Sequence, residues 1–219
     1  MTATLRAGAA ALSEVLRLHI IPVVVLDDPA DAVPLSEALY AGGLPVAEVT
    51  FRTGAAVESI AAMAQNPNML VGAGTIIHPD QVDAAAAAGA RFLVSPGISL
   101  AVIRRAREIG LPIIPGIATA TELMAAVNED ITVVKFFPAG TSGGLPAIKA
   151  LAGPFPQMEF VPTGGVGAGN LAEYLSMPAV VAVGGSWMVA PSLVAEGDFA
   201  SVTRLTREAL EAVPGRPKS

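Results

Sequence analysis

Glu159-Phe160-Val161-Pro162-Thr163-Gly164-Gly165 and Val180-Val181-Ala182-Val183-Gly184-Gly185-Ser186 are the two stretches that decide the fold. Each begins as a short apolar run and ends near a pair of glycines. They are the last two of eight such runs, so the paired glycines come late in the chain. An open doubly wound sheet usually carries its glycine-rich turn after the first strand, where this chain has Leu26-Asp27-Asp28-Pro29. Glycine-rich turns after the seventh and eighth strands are typical of a (β/α)8 barrel.

The eight apolar runs recur at a roughly even spacing, and most are followed by a helical pattern, which predicts repeated strand–helix units. The predicted strands cover residues 20–26, 46–51, 69–73, 92–95, 113–114, 132–137, 159–162 and 180–183. The predicted helices cover residues 29–41, 54–65, 79–88, 100–108, 121–127, 145–151 and 171–175, with an amphipathic helix before the first strand. Gly42, Gly89 and Gly110 are predicted to end three helices in the left-handed conformation. We expect an α/β protein, a single (β/α)8 TIM barrel with an extra N-terminal helix, with residues 1–219 in one domain.

The composition excludes several classes of function. A net charge of −6 argues against non-specific binding to nucleic acid or to anionic membranes, so we expect neither as a partner. There are no cysteines, and the only two histidines are His19 and His78. A disulfide framework, a thiolate nucleophile and a Cys-based metal site are therefore excluded, and a His-rich zinc site is not expected.

The N-terminal apolar run at residues 7–12 is short, and Ser13, Glu14 and Arg17 interrupt the apolar pattern after it. It is more typical of an amphipathic helix than of a signal peptide. No stretch is long and uncharged enough to span a bilayer. The expected location is the cytoplasm.

Lys135 is the most informative residue, because it lies in a run that otherwise has the composition of a buried parallel strand, Thr132-Val133-Val134-Lys135-Phe136-Phe137-Pro138. Burial of an isolated ammonium is costly and favours the neutral amine. A neutral amine is a nucleophile that can attack a ketone and form a Schiff base. A structural lysine that pairs with a carboxylate would give the same pattern, so both explanations are open at this point.

The second predicted strand carries a carboxylate and a guanidinium on one face. Strand alternation puts Glu48 and Arg52 on the same side, opposite the apolar residues Ala47, Val49 and Phe51. If the apolar side packs against helices, Glu48 points into the barrel and Arg52 lies at the C-terminal rim, where barrel active sites are found. Glu48 could then transfer protons for Lys135, and Arg52 could bind a carboxylate. A structural salt bridge remains the alternative for each.

Further candidates lie where predicted strands end. Thr75 and Thr163 could offer hydroxyl groups to a substrate, although capping a turn is the more ordinary role for either. The two glycine pairs could bring backbone amides close to a phosphate. The residues of this candidate phosphate cradle are Gly164, Gly165, Gly184, Gly185 and Ser186. Tight barrel turns would explain the same glycines.

Several motifs together resemble one known family, the 2-keto-3-deoxy-6-phosphogluconate (KDPG) and 4-hydroxy-2-oxoglutarate aldolases. They run in the family's order from about residue 20 to residue 189. The motifs are Glu48-Val49-Thr50-Phe51-Arg52-Thr53, Val71-Gly72-Ala73-Gly74-Thr75, Val94-Ser95-Pro96-Gly97, Ile114-Pro115-Gly116-Ile117-Ala118-Thr119, Lys135-Phe136-Phe137-Pro138-Ala139, Pro162-Thr163-Gly164-Gly165 and Gly184-Gly185-Ser186-Trp187. The chain departs from the family's common pattern at Gly140, where glutamate is frequent.

The resemblance implies a class I (Schiff-base) aldolase that cleaves a phosphorylated six-carbon keto acid to pyruvate and glyceraldehyde 3-phosphate in the Entner–Doudoroff pathway. It implies Lys135 as the Schiff-base lysine and Glu48 as the general acid and base. The residues implied to bind substrate are Arg52, Thr75, Pro96, Phe137 and Thr163, and those implied to bind its phosphate are Gly164, Gly165, Gly185 and Ser186. It also implies a homotrimer and no metal or cofactor.

Four alternatives stay open at the level of sequence. The same imine chemistry could serve unphosphorylated 4-hydroxy-2-oxoglutarate or a phosphogalactonate-type substrate. A barrel isomerase or epimerase would use the phosphate cradle without covalent chemistry and would tolerate Lys135→Arg. A catalytically silent phosphosugar-binding barrel is the most remote, because Lys135, Glu48 and Arg52 are all present.

Overall fold

The computed structural model describes residues 3–215. Helix α1 (Ala3–Arg17) precedes an alternation of strands and helices. The strands are β1 (Ile20–Val24), β2 (Val46–Thr50), β3 (Leu70–Gly74), β4 (Phe92–Val94), β5 (Ile113–Ile114), β6 (Gly116–Ile117), β7 (Val133–Phe136), β8 (Glu159–Pro162) and β9 (Val183–Gly185). The further α-helices are α2 (Ala32–Ala41), α3 (Ala56–Met63), α4 (Pro79–Ala87), α5 (Leu100–Ile109), α6 (Ala120–Asn128), α7 (Gly144–Ala152), α8 (Leu171–Leu175), α9 (Pro191–Ala195) and α10 (Phe199–Glu211). Short 3-10 helices cover Pro29–Asp31 and Trp187–Val189.

The strands form a closed parallel barrel. Six of them pair in the order β5-β4-β3-β2-β1-β9, and three pair in the order β6-β7-β8. Parallel bridges between Phe160 and Val180 and between Thr163 and Gly184 join β8 to the β9 side. On the other side only Pro115 separates β5 from β6, so these two segments fill one barrel position. The eight-position barrel and the extra N-terminal helix confirm the predicted fold.

Helix α5 shows how the local sequence builds the outer layer. Ser99 begins the helix, with its Oγ accepting a hydrogen bond from the amide of Val102. Gly110 ends it in the left-handed conformation, with φ of 78°. Between these ends the helix turns Val102, Ile103 and Ala106 towards the barrel and buries them. The apolar spacing predicted from the sequence is therefore the face that packs on the strands.

Two details of the predicted elements were wrong. Gly42 has φ of −74°, and the left-handed residue is its neighbour Gly43, with φ of 89°. The last strand begins at Val183, where it pairs with Ile20 of β1, and extends through the glycine pair. Residues 180–183 were predicted instead because their composition is more apolar.

Helices α9 and α10 were not predicted. Asp198 caps the start of helix α10, with its carboxylate accepting from the amide of Ser201, and the helix packs against α2 and buries four side chains. These side chains are Val202, Thr206, Ala209 and Leu210. The sequence also predicts a frayed tail from Pro214 to Ser219, of which residues 216–219 lie outside the described residues.

Candidate active site

Lys135 and Glu48 meet inside the barrel. Lys135 Nζ donates to Glu48 Oε1 at 3.3 Å, and the two side chains are only 5% and 3% exposed. Lys135 lies on β7 and Glu48 on β2, so the barrel brings together two residues 87 positions apart. Among the residues that the structure describes, this is the one ion pair with both members buried. The predicted inward orientation of Glu48 follows from the strand alternation.

Phe137 connects this pair to the mouth of the barrel. Lys135 Nζ lies 5.2 Å from the centroid of the Phe137 ring, a distance at which a cation is attracted to the ring face. The ring is half-buried and also lines a cavity of 350 Å³ at the C-terminal end of the strands. Phe137 therefore lies beside the amine and also borders that cavity.

Arg52 and Thr75 lie together at the same rim. Arg52 Nε donates to Thr75 Oγ1 at 3.4 Å, and the guanidinium side chain is exposed. Thr75 has φ of 59°, a left-handed conformation that is a genuine outlier for a β-branched residue. Such strain is concentrated at functional sites. The backbone of Thr75 therefore adds a reason, beyond its position at the end of β3, to treat its hydroxyl as part of the site.

The predicted phosphate cradle lines the cavity. Its glycine pairs come from the ends of β8 and β9, which are joined by the bridge between Thr163 and Gly184. The cavity is lined by Val23, Val25, Arg52, Phe137, Thr163, Gly164, Gly165, Val166, Gly184, Gly185, Ser186, Val189 and Pro191. Arg52, Phe137, Thr163 and all the predicted phosphate-binding residues are thus brought to one cavity.

The loop at Gly164 and Gly165 is held by bonds from two sides. Both glycines are left-handed, with φ of 85° and 84°. The amide of Gly140 donates to Gly164 O at 2.8 Å, so the position where this chain departs from the family pattern supports the loop through its backbone. Asn170 bonds both sides of the turn, donating from Nδ2 to Gly165 O and accepting at Oδ1 from the amide of Gly167. These bonds fix the conformation that exposes the glycine amides.

Pro96 lies on the side of β6, away from that cavity lining. A methyl group built on Gly116 would collide with the backbone of Pro96, so the two segments are in close contact. Gly116 is the residue of β6 that pairs with Lys135. Pro96 therefore contacts the residue of β6 that lies beside Lys135 in the sheet.

Some lining residues were not among the sequence candidates. Val23 and Val25 come from the first strand and its end, and Pro191 begins α9. The alternation of β1 could have indicated Val23 and Val25, whereas nothing local identifies Pro191. Asn170 was also missed, although an asparagine ahead of a short helix is a common capping signal.

A larger cavity of 610 Å³ lies at the opposite end of the barrel, between α1 and the starts of β7 to β9. It is lined by Leu12, Ser13, Leu16, Arg17, His19, Thr132, Glu159, Leu175, Val180, Val181, Val213 and Pro214. Residues at this N-terminal face of a barrel usually serve stability. The smaller cavity is the better candidate for chemistry, because Phe137 lines it and also lies beside Lys135 Nζ.

Within residues 3–215, no group of three or more His, Cys, Asp or Glu side chains is arranged to hold a metal ion. No helix in this range has the length and apolar character needed to cross a membrane.

Comparison with known proteins agrees with this geometry. The sequence profile of the KDPG and KHG aldolase family matches residues 12–205. The 2-dehydro-3-deoxy-phosphogluconate aldolase of Treponema pallidum is 50% identical over 198 residues, which cover 90% of this chain and 94% of the relative.

Two solved structures are also similar. KDPG aldolase from Legionella pneumophila, with pyruvate captured as a covalent carbinolamine, has a TM-score of 0.87 and 41% identity, covering 89% of this chain and 96% of that one. The Zymomonas mobilis enzyme with 3-phosphoglycerate has a TM-score of 0.86 and 41% identity, covering 92% and 98%. The profile match and the identity to these relatives extend over nearly the whole barrel, and the chain therefore belongs to the KDPG and KHG aldolase family.

Proposed function

We propose that this family member cleaves 2-dehydro-3-deoxy-6-phosphogluconate to pyruvate and glyceraldehyde 3-phosphate, with Lys135 as the imine-forming residue and Glu48 as its acid and base. The observation that carries the proposal is the buried contact of 3.3 Å between Lys135 Nζ and Glu48 Oε1, close to a cavity rimmed by paired glycines. An amine and a proton-transfer group are thus adjacent, and an anion site is available beside them.

The reaction begins when Glu48 accepts a proton from the Lys135 ammonium and the free amine attacks the ketone carbon C2. Glu48 gives this proton to the C2 oxygen, then transfers a second proton from the nitrogen to the same oxygen, so that the carbinolamine loses water, an imine forms and the Glu48 carboxylate is ionised again. Glu48 next removes the proton of the C4 hydroxyl group, the C3–C4 bond breaks, and glyceraldehyde 3-phosphate leaves. The bonding electrons enter the enamine, which takes a proton at C3. Addition of water to the imine releases pyruvate and restores the lysine.

The other candidates orient the substrate. Arg52 has a forked guanidinium suited to the C1 carboxylate, and its bond to Thr75 Oγ1 keeps a hydroxyl group at the same rim. The space around the pyruvyl carbons is bordered by Pro96, Phe137 and Thr163. The amides of Gly164, Gly165, Gly185 and Ser186 receive the phosphate, whose charge suits exposed backbone N–H groups.

The assay for this proposal measures pyruvate release with lactate dehydrogenase and NADH. We expect saturable cleavage of the phosphorylated keto acid, unaffected by a chelator. Absence of pyruvate release at high enzyme concentration would contradict the proposed activity.

Cleavage of 4-hydroxy-2-oxoglutarate is a second activity, and the family description supports it. That substrate needs the Lys135–Glu48 pair and Arg52 but not the phosphate cradle. We expect a lower kcat/KM for it than for the phosphorylated keto acid, because the phosphate contacts are lost. Equal values of kcat/KM for the two substrates would argue against a phosphate site at the glycine pairs.

Family membership also supports a homotrimer and a cytoplasmic enzyme, with residues 1–219 acting as one domain. A phosphorylated sugar acid does not cross membranes, so its aldolase belongs in the compartment that makes it. Light scattering should give about three times the mass of one 22.1 kDa chain. A mass equal to one chain would contradict the trimer.

A further inference from the structure

The Glu48 side chain lies over Gly74, the last residue of β3. A methyl group built on Gly74 would be 2.7 Å from Glu48 Cγ and 2.8 Å from Cδ, and closer still to Oε1. Ordinary contacts between such atoms are about 3.5–4.0 Å. The glutamate therefore occupies the volume that any side chain at position 74 would need.

The backbone gives no other reason for glycine at this position. Gly74 lies within a strand, and its φ is outside the left-handed range that favours glycine. Glycine inside a strand is less favourable than alanine, because it loses more backbone freedom on folding and packs no side chain. Position 74 needs glycine because any side chain there would overlap the Glu48 side chain.

We infer that Gly74 is a positioning residue for Glu48, and this inference rests on the proposed role of Glu48 as the acid and base. The glutamate is held between Gly74 on one side and Lys135 Nζ, at 3.3 Å, on the other. A side chain at position 74 moves the carboxylate from the place where it exchanges protons with the imine nitrogen and with C3 of the bound pyruvyl group. The amine and the phosphate cradle stay where they are.

A second strand glycine has the same relation to a site residue. A methyl group on Gly184 of β9 would be 2.9 Å from Thr163 Cγ2 and 3.1 Å from Cβ, and closer to Oγ1.

Gly72, two residues before Gly74 in β3, has a different neighbour, because the three atoms nearest to a methyl group there all belong to the ring of Phe92. Gly72 therefore provides a matched control from the same strand, with its contact in the apolar core.

The experiment compares Gly74→Ala and Gly72→Ala, each with Glu48 present and each combined with Glu48→Ala. The measurements are Tm, kcat and KM for the phosphorylated keto acid, and the exchange of pyruvate methyl protons for deuterium by NMR. Exchange proceeds through the enamine, so it reports proton transfer without the aldehyde half-reaction.

We expect Gly74→Ala to lower kcat and the exchange rate by roughly 10- to 100-fold, the scale of a misplacement of about 1 Å. KM should stay close to the wild-type value. In the Glu48→Ala background, which lacks the colliding atoms, Gly74→Ala should lower neither Tm nor the residual exchange rate. Gly72→Ala should lower Tm to the same extent in both backgrounds and leave kcat per folded molecule close to wild type.

Wild-type kcat in Gly74→Ala, or an equal loss of Tm in both backgrounds, would overturn the inference. Should Gly74→Ala fold only when Glu48→Ala is present, competition for space is supported. Failure to fold in both backgrounds would show that the glycine serves barrel packing and would overturn the inference. A wild-type protein without cleavage or exchange activity would contradict the proposed function itself, so the two failures are distinguishable.

Discussion

The barrel interior and the outer helical surface each contain an acid paired with basic side chains, and the two arrangements differ in how completely the acid is satisfied. In the outer layer, the carboxylate of Glu129 is only 10% exposed and accepts from Arg104 at 2.8 and 3.1 Å and from Arg107 at 3.0 Å. In the interior, Glu48 makes one hydrogen bond within the described residues, with Lys135 Nζ at 3.3 Å. Charge-assisted bonds are usually about 2.7–2.9 Å. The carboxylate of Glu129 thus accepts three hydrogen bonds, whereas the interior pair keeps protons and lone pairs available for chemistry.

The largest effect should come from Lys135→Arg, which keeps the positive charge but cannot form an imine. We expect kcat to fall by roughly 10⁴- to 10⁶-fold, the scale seen when a covalent catalytic group is removed. The exposed Lys149 on α7 offers the control, because Lys149→Arg should leave kcat unchanged. Substantial cleavage by Lys135→Arg, measured by pyruvate release, would contradict an imine at Lys135.

Replacing both Lys135 and Glu48 should leave the free energy of unfolding nearly unchanged, whereas replacing only one of them should lower it. Lys135→Met leaves Glu48 buried without a partner, which costs about 3–5 kcal/mol of unfolding free energy. The double variant Lys135→Met/Glu48→Leu removes both charges and should unfold near the wild-type denaturant concentration or above it. Chemical denaturation measures the unfolding free energy of both variants. A double variant as unstable as the single one would mean that the pair is structural.

The phosphate cradle should control affinity and not chemistry. Gly164→Ala places a methyl group at φ of 85° and 3.3 Å from the Phe137 ring, so the loop must change conformation. Loss of charge-assisted contacts should raise KM for the phosphorylated substrate by roughly 10- to 100-fold, with 4-hydroxy-2-oxoglutarate cleavage nearly unchanged. Gly167→Ala, in the same loop with open space around it, is the matched control. An equal loss for both substrates would place Gly164 outside a phosphate site.

The smallest effect concerns the surface cluster and its dependence on pH. Hydrogen bonds from the Arg104 guanidinium hold the pKa of Glu129 below its ordinary value, against an opposing effect of burial, and Arg107 adds to the lowering. The stabilisation is then complete above the unfolded pKa, about 4.3, and is lost as pH falls through the folded pKa. Glu129→Gln should lower Tm modestly at neutral pH, with a difference from wild type that shrinks in acid, and kcat should not change. A constant difference in Tm at all pH values would contradict the ionic origin.

Much of the barrel could be predicted because its signals are local. The apolar spacing of α5, the cap at Ser99 and the left-handed Gly110 lie within twelve residues. Glu48 and Lys135 were also identifiable, since each is a charged residue in a strand that is otherwise apolar. Their contact follows once both strands face the same interior.

The rest depends on contacts between distant segments. The space beside Gly74 is visible only once the Glu48 side chain is placed against it. Pro191, the first residue of α9, lines the cavity, and no residue near it in the chain signals this position. The start of β9 at Val183 is set by its pairing with Ile20, 163 positions earlier in the chain by their residue numbers. Such features need the closed barrel and not only the local pattern.

The central claim is that Lys135 forms an imine with the pyruvyl group, and borohydride trapping tests it most directly. The protein is treated with pyruvate and sodium borohydride, and intact mass and peptide mapping follow. We expect one reduced pyruvate adduct per chain on Lys135, and none on the exposed Lys149 or in Lys135→Arg. An unmodified protein at saturating pyruvate, or an adduct elsewhere, would contradict it.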